Sequence, residues 1–194
     1  MRVTYATAGD DPVNYARKSR MKNVAKMGLV AALAVGVLAP AMAQYSKPSG
    51  LSVKGGLFFP ISNEARNASG SDWFGFGVDY ELGNLFNVKS DGEVESTFHL
   101  SLDYYGDGDF SQVPVMLNYR GRQKNVYWVI GGGLGFVRTP KVGGGTTTNE
   151  EFAYNFALGY NFNQGATPYF IEARFLGSNE ERLNGFGLYA GLRF

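Results

Sequence analysis

Cysteine is absent from the 194 residues and histidine occurs once. That removes disulfide scaffolds, thiolate zinc sites, iron–sulfur clusters and cysteine nucleophiles together, and leaves little with which to hold a metal. An excess of one charge is also missing. Lys+Arg 18 against Asp+Glu 17 gives a formal net charge of +1, without the basic surplus of a nucleic-acid binder. Charged residues amount to only 18%, whereas there are 27 Gly, about twice the usual share, with 15 Phe and 12 Tyr. Aromatic side chains suit pleated, half-buried surfaces, so this composition points to strands rather than helices.

The first 43 residues are set apart from the rest. From Met21 the chain reads MKNVAKMGLVAALAVGVLAPAMAQYS, in which Lys22 and Lys26 precede an apolar run and Ala41-Met42-Ala43 closes it. These are the three parts of a secretory signal peptide, with cleavage expected after Ala43. A membrane-spanning helix is the competing reading, but Met27 to Ala43 is about 17 residues, carries Gly28, Gly36 and Pro40, and ends in a small-x-small site. Residues 1–20 are polar, lack apolar periodicity and precede a second Met, so Met21 is read as an alternative start. Residues 44–194 form the expected single domain; loss of Arg2, Arg17, Lys18, Arg20, Lys22, Lys26, Asp10 and Asp11 leaves 12 basic and 15 acidic residues, a net charge of −3.

From Leu51 onward, eight segments place an apolar residue at every second position, the period of a strand with two unlike faces. They run over 51–59, 73–82, 97–105, 112–120, 126–138, 152–162, 169–176 and 185–194. Connectors lie at 60–72, 83–94, 106–109, 121–125, 139–150, 163–168 and 177–184, and none shows helical periodicity, which excludes a parallel sheet with crossover helices. Eight antiparallel strands in up-and-down order can close into a barrel and so remove their exposed edges.

Volume and charge decide which face is inside. An eight-stranded barrel has an interior just wide enough to be filled by side chains. One residue class is mostly Phe, Tyr, Leu, Ile and Val, too bulky for that space. The other is rich in Gly and contains Lys54, Asp79, Glu81, His99, Asp103, Asn118, Arg120, Asn155, Asn161, Glu172, Arg174 and Arg193. The polar class is therefore expected inside and the apolar class outside, facing lipid. A strand of about ten residues, rising about 3.4 Å per residue and tilted about 45°, covers about 24 Å, the height of a barrel's apolar band. Aromatics gather near strand ends at Phe59, Tyr80, Tyr104, Tyr119, Phe152, Phe162, Tyr169 and Phe194, where interfacial girdles sit.

Over 51–194 the sequence resembles the small eight-stranded outer-membrane barrels of the OmpA/OmpX type. The residues that carry the resemblance are the terminal GFGLYAGLRF, closing on Phe194, and SQVPVMLNYR followed by YWVIGGGLGFV, similar to an adjacent strand pair of these families. It implies a monomer in the bacterial outer membrane, surrounded by lipid and lipopolysaccharide, with Phe194 as the signal read by the barrel-assembly machinery. An even strand count puts both chain ends in the periplasm and the connectors 60–72, 106–109, 139–150 and 177–184 outside. The long 83–94 connector departs from the family pattern.

The expected functional feature is an interior charge network of four bases (Lys54, Arg120, Arg174, Arg193) and four acids (Asp79, Glu81, Asp103, Glu172), an equal count that allows pairing. This favours a structural or narrow, porin-like permeability role. A small-solute or hydrophobic-ligand channel is the first alternative, permitted by Phe58, Met116, Val129 and Phe170 on the interior face. A lipid-modifying enzyme is the second, because His99, Ser101 and Asp103 share a strand face as a base, nucleophile and acid would. No catalysis, cofactor or metal is expected. Asp107-Gly108-Asp109 could offer carboxylates to a divalent cation but reads as a hairpin turn. Gly131-Gly132-Gly133 and Gly143-Gly144-Gly145 precede no helix, so neither is a phosphate loop; the first gives interior room or a bend, the second loop flexibility. Asn67-Ala68-Ser69 matches a glycosylation sequon without consequence in a bacterial envelope protein.

Overall fold

The structure, a computed structural model, describes residues 50–83, 94–141, 143–162 and 168–194. The signal segment, Ala43, residues 1–20 and most of the connectors 83–94 and 163–168 lie outside the described residues. Eight strands follow in chain order: β1 (Leu51–Pro60), β2 (Trp73–Gly83), β3 (Glu95–Asp107), β4 (Phe110–Gln123), β5 (Val126–Pro140), β6 (Thr146–Asn161), β7 (Tyr169–Ser178) and β8 (Gly185–Arg193). Each pairs antiparallel with its neighbours in sequence, and β8 returns to β1, so the sheet is a closed up-and-down barrel. The closing seam runs from Ser52 opposite Arg193 to Pro60 opposite Gly185. No edge strand is left to template association.

Period-2 alternation separates the two faces as the sequence suggests. Leu57, Leu102, Ile130, Leu134 and Leu188 are about half exposed on the outside, whereas Lys54, Asp79, Asn118, Asn155 and Arg174 are buried. Aromatic rings cluster along the outer face toward the strand ends. Near the base, the end that carries Gly50 and Phe194, stand Tyr80, Phe98, Tyr119, Trp128, Tyr160 and Tyr169; toward the opposite, loop end stand Phe59, Phe74, Tyr104, Phe136, Phe152, Phe175 and Phe186. Tyr119 packs between Phe98 and Trp128, and Phe162 between Tyr160 and Tyr169. Phe194 differs from the exposed Phe186 of the same register: it is 5% exposed, donates its N–H to Leu51 O and accepts from Gly50 N–H.

Two expectations about the connectors are corrected. The first holds a seven-residue helix, α1 (Asn63–Ser69), capped by the Ser62 hydroxyl, which accepts from Ala65 N–H, and ended by Gly70 at φ 90°. Seven residues are too few to print an apolar period, so only the cap and Glu64 in the first turn signal it. The 177–184 connector likewise contains a 3₁₀ turn, Glu181–Leu183. The 139–150 connector is mostly strand: β5 and β6 pair from Pro140 opposite Thr146 onward. Thr146-Thr147-Thr148 have β propensity but no apolar alternation, which hides the strand from a pattern search. Gly143, Gly144 and Gly145 all have positive φ and lie in the turn of the β5–β6 hairpin. Gly108, at φ 62°, turns β3 into β4 between Asp107 and Asp109.

Candidate functional site

The barrel interior is layered, and each layer follows from one inward residue per strand at a given height. The middle layer is ionic. Lys54 on β1 donates to both Asp79 oxygens at 3.1 and 3.3 Å and lies 3.0 Å from Asp103 Oδ1 and 3.8 Å from Glu172 Oε1. Arg174 on β7 donates from Nε to Glu172 Oε1 at 2.8 Å and from Nη1 to Asp103 Oδ2 at 3.1 Å, with Asp79 at 3.9 Å from Nη2. Two cations and three carboxylates from four strands thus form one cluster across the bore, and all five side chains are buried. Tyr127 on β5 donates its hydroxyl to Glu172 at 3.0 Å. Beside this cluster Asn155 donates to Asn118 at 2.6 Å, and Asn118 donates to Ser101 at 2.8 Å.

Glycine makes that cluster possible. A Cβ at Gly77 would strike the Asp103 carboxylate and come 2.7 Å from Lys54 Cε. Gly77→Ala should therefore destabilise the barrel by about 1–3 kcal/mol, the cost of overpacking a filled interior, seen as a lower denaturant midpoint with unchanged m-value.

The loop-end layer is apolar. Phe58, Trp73, Tyr105 and Phe110 stack across the bore, with ring centroids 4.3 Å apart for Phe58 and Tyr105 and 5.7 Å for Phe58 and Trp73. Ala65 of α1 and Leu183 of the 3₁₀ turn, both fully buried, belong to the same cluster. Trp73 Nε1–H donates to Gly70 O at 3.1 Å and ties α1 down. Arg182 joins the two connectors: it donates to Glu180 at 2.7 and 2.8 Å and to Glu64 at 3.2 Å, and stands 5.9 Å over the Phe110 ring.

These hydrogen bonds hold the Glu180 carboxyl below its ordinary value of 4.5, and Glu180 pushes Arg182 up. A carboxylate lowered on folding contributes stability above its ordinary value and loses it as pH falls through the lowered one. Hydrogen exchange at Leu183 and Asn184, whose N–H groups close the 3₁₀ turn, should thus be flat around neutrality. Corrected for intrinsic rates, it should rise only below pH 4.5.

The base layer holds the remaining bases. Arg120 on β4 and Arg193 on β8 stand over the same Tyr127 ring at 5.0 and 5.6 Å, and Arg193 also lies 5.6 Å from the Phe170 centroid. Glu81 stands apart from the central cluster with its side chain 36% exposed, 3.9 Å from His99. The four-and-four count expected from the sequence therefore does not become four pairs: five groups join, Arg120 and Arg193 rest on aromatic faces, and Glu81 sits at the rim. Alternation with Trp128 and Ile130 puts Tyr127 on the inner face, but sequence reasoning counted only the charges there and passed over its hydroxyl as a donor to Glu172. Trp73, Tyr105 and Tyr189 fall on the inner face by the same alternation without having been singled out, and Phe110 lies just before the expected start of the fourth strand.

The supposed base, nucleophile and acid are not connected. His99 Nε2 shares a 2.7 Å hydrogen bond with Thr97, Ser101 accepts from Asn118, and Asp103 is taken by Lys54 and Arg174. Asp109 lies 3.9 Å from Arg138, and among the described residues no group of three His, Asp or Glu side chains could hold a metal.

No family model matches the sequence, and no curated protein matches it. Among solved structures the chain is similar to the N-terminal β-barrel domain of Pseudomonas aeruginosa OprF, at 12% identity and TM-score 0.48, over 76% of this chain and 100% of that one. It is also similar to Ail, the attachment invasion locus protein of Yersinia pestis solved with the heparin analogue sucrose octasulfate, at 15% identity and TM-score 0.36, over 74% of this chain and 96% of that one. Both of those proteins are small outer-membrane β-barrels.

Proposed function

We propose that this chain is an integral outer-membrane β-barrel with a structural role, its bore closed by its own side chains. The observation that carries the reading is the buried Lys54–Arg174–Asp79–Asp103–Glu172 cluster, which spans the bore beneath an apolar stack. Moving a solute through would break buried ion pairs, and opening one such pair costs about 3–5 kcal/mol. The outward apolar band between two sets of aromatics supports the membrane setting, with lipid and lipopolysaccharide around a single copy and the assembly machinery reading the C-terminal strand. A channel for hydrophobic ligands gains no support from its expected lining: Phe58, Met116, Val129 and Phe170 are packed, none more than 2% exposed.

In planar bilayers the purified protein should give no conductance steps; discrete steps at low voltage would overturn the closed reading. On a detergent gel the unheated protein should run apart from the boiled one and fractionate with the outer membrane.

A further inference from the structure

The base layer contains cationic groups that the mechanism of closure does not use. Within the bore the buried bases Lys54 and Arg174 face three carboxylates, while Arg120 makes no salt bridge among the described residues. Neither does Arg193, whose Nε donates to the Ser52 hydroxyl at 3.4 Å; Glu81, at the rim, is turned partly to solvent. The central cluster has one carboxylate in surplus and Glu81 stands at the rim, but neither guanidinium group is within salt-bridge distance of a carboxylate among the described residues. A buried charge without a counter-charge is costly, and an aromatic face compensates it only weakly.

Four unpartnered nitrogens lie toward the base. Arg120 Nε, Arg193 Nη2, Asn161 Nδ2 and His99 Nδ1 are all buried without a hydrogen-bond partner. Arg120, Asn161 and His99 are each at least 96% buried. Both guanidinium groups lie within reach of the Tyr127 ring, at 5.0 and 5.6 Å from its centroid, and its hydroxyl is already committed to Glu172. Tyr127 pairs with Gly159, two residues before Asn161, and Asn161 pairs with Phe170, which pairs with Gly191, two residues before Arg193. Each of these two-residue steps leads toward the end of the barrel that carries Gly50 and Phe194, so the strands deliver these groups to the base.

We infer that the base of the barrel is a binding site for an oxyanion, a phosphate or carboxylate group, clamped between Arg120 and Arg193. Guanidinium N–H groups and an Asn amide are the donors such an anion takes, and two flanking arginines supply its counter-charge. The anion would come from the periplasmic side if the membrane orientation proposed above holds; the site itself does not depend on that orientation.

The test is a titration of the full chain in detergent micelles with inorganic phosphate, read on the Nε–H resonances of Arg120 and Arg193. A saturable shift with a Kd on the order of 1 mM is expected, weakened at least tenfold by Arg193→Met. A second arm places the protein in bilayer discs of phosphatidylglycerol or of phosphatidylcholine without phosphate. A shift with free phosphate assigns the site to a soluble anion, and a shift only in phosphatidylglycerol assigns it to a lipid headgroup; both uphold an oxyanion site. No shift in either arm, or an equal shift with chloride, overturns it. Should Arg193→Met fail to fold, the wild-type titration decides alone. Conductance in bilayers would sink the closed reading and leave this titration standing.

Discussion

Arg174→Met should lower the unfolding free energy by about 3–5 kcal/mol, because it leaves Glu172 and Asp103 buried with Lys54 as the one cation in salt-bridge range. The comparison that gives the number meaning is Arg138→Met, which removes an exposed, 3.9 Å pair with Asp109 and should cost about 0–1 kcal/mol. Both are read from denaturant unfolding in vesicles with tryptophan fluorescence from Trp73 and Trp128. The difference between them measures how dry the bore is. If Arg174→Met costs no more than Arg138→Met, water screens the cluster and the case for a closed interior fails with it.

Leu102→Arg is expected to have an effect of similar size, about 2–4 kcal/mol, through the other face of the sheet. Leu102 is 51% exposed and pairs with Val78 and Val115 in the middle of the outer band. Val126, equally exposed at 53%, begins β5 beside the base, and Val126→Arg should cost only about 0–1 kcal/mol. That depth dependence exists only if hydrocarbon surrounds the barrel. Equal and small costs in the presence of vesicles would mean that the outer face meets water, and the membrane setting would be withdrawn.

The strand count, the up-and-down order and the inward face were legible because period-2 alternation needs no knowledge of neighbours. Val53, Val78 and Leu102 announce their face from local sequence alone. Legibility ended where a strand left the apolar band. Thr146 to Glu151 belong to β6, yet nothing beyond the band requires one face to be apolar. The site was half legible for a related reason. Alternation placed eight charges inside, but which of them meet depends on the stagger between strands, and that stagger appears only in the paired register. Asp79 lies opposite Ser52 and Ser101, and its contact with Lys54 is a diagonal one, two residues along the neighbouring strand. Glu81 shares a face with Asp79, and one step nearer the base is enough to put it at the rim.

The seams of the sheet differ in how much chain they enclose. Seven join strands that follow one another, so each can form as a local hairpin as soon as its second strand is present. The eighth joins β1 to β8 and encloses almost the whole barrel sequence. Loop-closure entropy grows only slowly with length, so this last seam is thermodynamically accessible, but it cannot form early. Until it does, Leu51–Pro60 is a bare margin of an open sheet, with a row of unpaired N–H and C=O groups beside an apolar face. Folding therefore has a vulnerable interval, and its length is set by how soon the final nine-residue strand, Gly185–Arg193, reaches the first.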